Sequence, residues 1–109
     1  MTEAGHAALC ALRALCDATE DPPAADADPQ EVMTRAAEVV AARELPMRDL
    51  AAALAREPGA LRGHPEACAL YDRIRALAAS WDAAMACARH GIGERIRSVA
   101  RLRGARRSG

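Results

Sequence analysis

The sequence predicts an all-α fold: a compact bundle of four to five helices around one long helix at about 65–90. Three observations carry this. Ala, Leu, Arg and Glu dominate, with few β-branched residues, which favours helix. Apolar residues recur at three- and four-residue steps and nowhere alternate as in a strand. Proline and glycine punctuate the chain at intervals suited to helix ends.

The first helix is expected from about Thr2 to Ala18, with Thr2 as N-cap and Ala8, Leu9, Leu12, Leu15 and Cys16 on its apolar side. Residues 17–28 hold Pro22, Pro23 and several carboxylates without periodicity, and read as a mobile acidic loop. Asp28-Pro29-Gln30-Glu31 is a helix start, with Asp as N-cap, Pro at the first position and Glu completing a capping box. The second helix carries Val32, Met33, Ala36, Ala37, Val39 and Val40. Leu45-Pro46 is expected to break it, because proline disfavours helical geometry in the preceding residue. A third helix then presents Met47, Leu50 and Leu54, and stops at Pro58-Gly59.

The long helix starts at Pro65, a residue suited to the first helical position. Leu70, Tyr71, Ile74, Leu77, Ala78, Trp81, Met85 and Ala88 share one face of it. Gly91 and Gly93 are expected to end it near Arg89. About 25 residues at roughly 1.5 Å each would span the domain. The only Trp and Tyr lie on this stripe, so Tyr71 and Trp81 are expected to supply much of the core. A short last helix from Glu94 to about Arg103 offers Ile96, Val99 and Leu102, and is expected to pack weakly. Residues 1–103 thus read as one domain, and 104–109 as a basic tail.

Net charge is zero but lopsided. Up to Glu31 the chain carries seven carboxylates against Arg13 alone; from Arg95 onward its ionised side chains are all Arg. Either the two ends attract each other weakly or the basic end meets an anionic partner. An Ala-rich core is short of buried area, which makes a homodimer a plausible outcome.

No signal-peptide pattern and no membrane-length apolar run appear, so an intracellular chain, cytoplasmic or nuclear and not secreted, is expected, with its four cysteines as thiols. His6 with Cys10, His64 with Cys68, and Cys87 with His90 have spacings that share a helix face, but two pairs would have to meet to hold zinc. No metal or cofactor is expected. Ser80 and Ser98 lack a nucleophile elbow, and Gly91-Ile92-Gly93 lacks the context of a phosphate loop. The sequence therefore reads as non-enzymatic.

Glu44-Leu45-Pro46-Met47 with Leu50 and Leu54 is similar to a short helix pair in the N-terminal (LW) domain of transcription elongation factor TFIIS. Ala60-Leu61-Arg62-Gly63-His64, followed by a helix carrying Leu77 and Trp81, is similar to that domain's L-R-K-H segment and last helix. The likeness covers roughly residues 32–82. It lacks the family's Ile-Gly turn, and residues 56–59 are about one turn too short. It implies a non-enzymatic bundle that docks short disordered motifs of transcription-related partners, with Arg62 and His64 near the docking surface.

The first functional expectation is accordingly a protein–protein interaction module. Its candidate partner-binding residues are Arg62, His64, Trp81, Arg95 and Arg101. The alternatives are a self-associating helical protein of a GC-rich virus or bacterium, and a nucleic-acid binder acting through the Arg-rich end. Nucleic acid is the lesser partner and no membrane is expected.

Overall fold

The computed structural model describes the backbone of residues 1–108 and the side-chain surroundings of residues 1–104. Three helices make up the fold: α1 (Glu3–Ala18), α2 (Pro29–Arg56) and α3 (Pro65–Ser108). No strand occurs among the described residues. They run down, up and down, so that α1 ends beside the lower stretch of α2 and α3. Thr2, at the start of α1, donates its hydroxyl to the Glu57 carboxylate at the end of α2. Arg13 of α1 pairs with Glu66 at the start of α3.

The starts of α1 and α2 form as their sequences dictate. The Thr2 hydroxyl accepts from the Gly5 amide at 3.0 Å, and the Asp28 carboxylate accepts from the Gln30 amide at 2.8 Å. Residues 57–64 form successive tight turns, with bonds from Ala60 to Glu57, Arg62 to Gly59 and His64 to Leu61. Gly63 closes this segment at φ 70°, a conformation costly for any residue with a Cβ.

Two expected breaks are absent, which gives three helices where four to five were expected. Pro46 lies inside α2. Its missing amide deprives only the Ala42 carbonyl of a helical partner, and Ala42 is exposed, so water can serve instead. Gly91 and Gly93 lie inside α3, which therefore runs unbroken for 44 residues through the segment expected as a separate last helix and into the basic tail. At Gly91 the packing is tight: a Cβ there would stand 3.0 Å from Pro29 Cγ, so Pro29 would have to give by a few tenths of an ångström.

The molecule is also elongated rather than compact. It measures 74 × 21 × 17 Å, with a Cα radius of gyration of 20.1 Å. A compact chain of this length has about 13 Å. The difference comes from α3, which at roughly 1.5 Å per residue is about 66 Å long and outruns both of its neighbours.

The core is split. One cluster joins Ala8, Leu12 and Leu15 of α1 to Leu50 and Ala53 of α2, Leu61, and Ala67 and Ile74 of α3. The other joins Val32, Ala36 and Val39 of α2 to Trp81 and Ala88 of α3. On α2 the inward positions 32, 36, 39, 43, 46, 50 and 53 follow an unbroken four-three repeat. Its two middle members are Arg43 and Pro46, which separate the clusters. The Arg43 Nε is buried and has no hydrogen-bond partner. Val40 and Met47, expected inward, are exposed, and so is Tyr71. The core therefore rests on Trp81, not on both aromatics.

Candidate interaction surface

Trp81 sits 7% exposed in the lower cluster, where α1 has already ended. Its indole Nε1 donates to the Glu20 carbonyl at 2.6 Å, so it fastens the α1–α2 connection to α3. Thr19 caps α1 just before this point: its hydroxyl donates to the Leu15 carbonyl at 2.8 Å. The acidic segment is further tied by ion pairs of Glu20 with Arg35 at 3.5 Å and of Asp28 with Arg95 at 3.6 Å. The second of these joins the acidic and basic ends of the chain, though both partners are half-exposed and such a pair contributes little.

Arg62 is exposed on the turn before α3. His64 is half-buried, and its Nδ1 accepts from the Ala67 amide at 3.3 Å, serving the first turn of α3 as a cap. Trp81 lies far along α3 from both, so the candidate residues do not converge on one patch. Arg95 and Arg101 are exposed near the other end of the molecule.

What the helices do build there is a continuous face. Val99 follows Trp81 by five full turns and so points the same way. Ile96 and Leu102 flank it. The face that packs in the bundle thus continues past Gly91, where the first turn of α2 ends its cover. Ile96, Val99 and Leu102 are 65%, 48% and 66% exposed. Arg95, Ile96, Val99, Ala100, Arg103 and Gly104 line a shallow, open depression between side chains of this one helix, and Leu102 stands beside it. Arg101, two residues after Val99, falls on the far side of the helix. The apolar spacing of Ile96, Val99 and Leu102 is plain in the sequence, where it predicts a separate, weakly packed helix. The in-phase distance from Trp81 was the available signal.

Among the described residues no three His, Cys, Asp or Glu side chains converge as a metal site. Cys16 is buried, while Cys10, Cys68 and Cys87 are exposed, all as free thiols. At the surface, the Arg13 guanidinium holds the Glu66 carboxyl below its usual range, and Glu66 raises Arg13 in return. No helix among the described residues is long and apolar enough to cross a membrane. Comparison with protein-family models, curated proteins and solved structures finds no match to this chain.

Proposed function

We propose that this chain is a non-enzymatic protein-interaction module whose docking element is the part of α3 that extends beyond α2. One observation carries this reading. Three large aliphatic side chains, Ile96, Val99 and Leu102, stand exposed on the continuation of the face that buries Trp81. A helix holds such a stripe stably in water only at a cost, and a partner removes that cost.

The test is capture of proteins from the native extract by the intact chain and by an Ile96→Asp/Leu102→Asp variant. The reading expects bands captured by the parent and lost by the variant. Equal capture by both would refute it. The likeness of residues 32–82 to the LW domain would place docking at Arg62 and His64 instead, and an Arg62→Glu/His64→Glu variant separates the two places.

Self-association is the second reading. It is favoured by Val40 and Met47, which stand exposed one helical face away from the α2 core positions. Light scattering decides it: a stable dimer abolished by Val40→Asp would replace the first reading, and a monomer would remove the second.

A further inference from the structure

We infer that the exposed face of the α3 extension receives an acidic amphipathic helix of a different protein, its apolar side chains on Ile96, Val99 and Leu102 and its carboxylates on Arg95 and Arg103. This rests on the α3 extension being the docking element and goes on to name the partner's chemistry.

Charge complementarity is the first argument. Residues 94–103 carry one carboxylate, Glu94, against Arg95, Arg97, Arg101 and Arg103. Glu94 is already engaged by Arg97. Arg95 has only the loose contact with Asp28 at 3.6 Å, and Arg101 and Arg103 join no ion pair among the described residues. Two guanidinium groups therefore stand about one turn to either side of Val99, within the exposed face, with spare hydrogen-bonding capacity. In paired helices, residues that border the apolar seam select the partner by charge. Arg in particular offers a planar donor fork that matches a carboxylate.

The same geometry argues against the other occupants. In an antiparallel pairing of two copies about Val99, Ile96 would meet Leu102, but Arg95 would meet Arg103 on both sides of the seam. A parallel pairing would set each Arg against itself. Like charges in such positions are destabilising. Phosphates would satisfy the arginines but leave the aliphatic stripe wet, and the stretch has no aromatic side chain on which a base could stack. A lipid surface would have to accept Arg95 and Arg103 within the exposed face itself, and the stretch lacks the Trp or Phe of interfacial helices.

The test uses the intact chain and two synthetic helical peptides. Both carry Leu at alternating three- and four-residue steps; one has Glu at the bordering positions and the other has Lys. Fluorescence anisotropy should show saturable binding of the Glu peptide and none of the Lys peptide. Arg95→Glu/Arg103→Glu should weaken the Glu peptide by about tenfold or more and admit the Lys peptide. Ile96→Asp/Leu102→Asp should abolish binding of both. All four residues are exposed, and circular dichroism should confirm that the variants retain their helix. Equal binding of the two peptides, or no binding of the Glu peptide, would overturn the inference. So would a chain that ignores the peptides and binds phosphatidylserine vesicles or a DNA duplex. If the Glu peptide fails while extract capture is still lost in Ile96→Asp/Leu102→Asp, the docking element stands and only its partner's chemistry is wrong. If capture is unchanged as well, the proposed function fails with it.

Discussion

The indole Nε1 of Trp81 donates to the backbone carbonyl of Glu20 at 2.6 Å, across 61 residues of sequence. This bond closes the lower half of the molecule, where α1 no longer covers α2 and α3 and only the acidic connection lies alongside. Trp81 supplies both the largest side chain of the lower cluster and the anchor for that connection. Two substitutions separate these roles. Trp81→Ala should destabilise the fold by about 3–5 kcal/mol. Trp81→Phe keeps most of the packing and removes the donor, and should cost about 1–2 kcal/mol. Urea denaturation measures both; an unchanged stability in Trp81→Phe would mean that the hydrogen bond contributes nothing, and equal losses in the two would mean that the packing contributes nothing.

The waist between the two clusters is the weak point of α2. Arg43 buries an Nε without a partner, and Pro46 withholds the amide that Ala42 would accept. Arg43→Met should stabilise by about 1 kcal/mol, because it removes an unsatisfied donor and keeps the aliphatic stem. Pro46→Ala should stabilise by roughly 1–3 kcal/mol, since proline in a helix interior is about 3 kcal/mol worse than alanine and some of that is already relieved by solvent at Ala42. Thermal unfolding of both single variants and the double variant checks this. A loss of stability in either would show that the waist is held by interactions these side chains supply.

How much of this was legible in the sequence follows from which forces decide each feature. Thr2, Asp28 and Pro65 mark helix starts correctly, because capping is a local matter of one side chain and a few amides. The buried positions Leu12, Leu50, Ile74, Leu77 and Trp81 follow from periodicity. Pro46, Gly91 and Gly93 misled, because a helix breaker states only a penalty, and long helices packed on neighbours can absorb it. Tyr71 was expected inside since it shares the stripe of Ile74, yet it lies about 60° round the helix from Ile74, at the edge of the buried stripe, and is 37% exposed. The interaction surface was half-legible. The spacing of Ile96, Val99 and Leu102 was plain, but its exposure depends on where α2 starts relative to Gly91, which is a tertiary fact.

Gly91 and Gly93 make a matched pair for the continuity of α3. A Cβ at Gly93 would meet nothing closer than the flexible Arg97 guanidinium at 3.9 Å, whereas one at Gly91 would press on Pro29 Cγ at 3.0 Å. Gly93→Ala should therefore stabilise by about 1 kcal/mol through helix propensity alone. Gly91→Ala should give clearly less, because Pro29 has to move. Calorimetry of the two variants reads the difference; the same gain at both sites would remove the packing role assigned to Gly91.

The Arg13–Glu66 pair predicts a pH effect with a definite sign. Its two bonds of 2.7 Å hold the Glu66 pKa below the usual carboxylate range in the folded chain, so folding favours the carboxylate. Its contribution is fully present above the ordinary carboxylate value of about 4.3 and fades as pH falls through the lower folded value. Glu66→Gln should therefore melt slightly below the parent at neutral pH, with the gap closing under acid. A gap that widens on acidification would contradict the assignment.

The account turns on α3 being one rod that carries Ile96, Val99 and Leu102 clear of the bundle. Small-angle X-ray scattering of the dilute intact chain, with its mass checked by light scattering, tests this most directly. A monomer with a radius of gyration near the 20.1 Å of the Cα trace is the predicted result. A monomer near the roughly 13 Å of a compact chain would mean that α3 folds back at Gly91–Gly93 and buries the stripe itself, and the proposed docking surface would not exist.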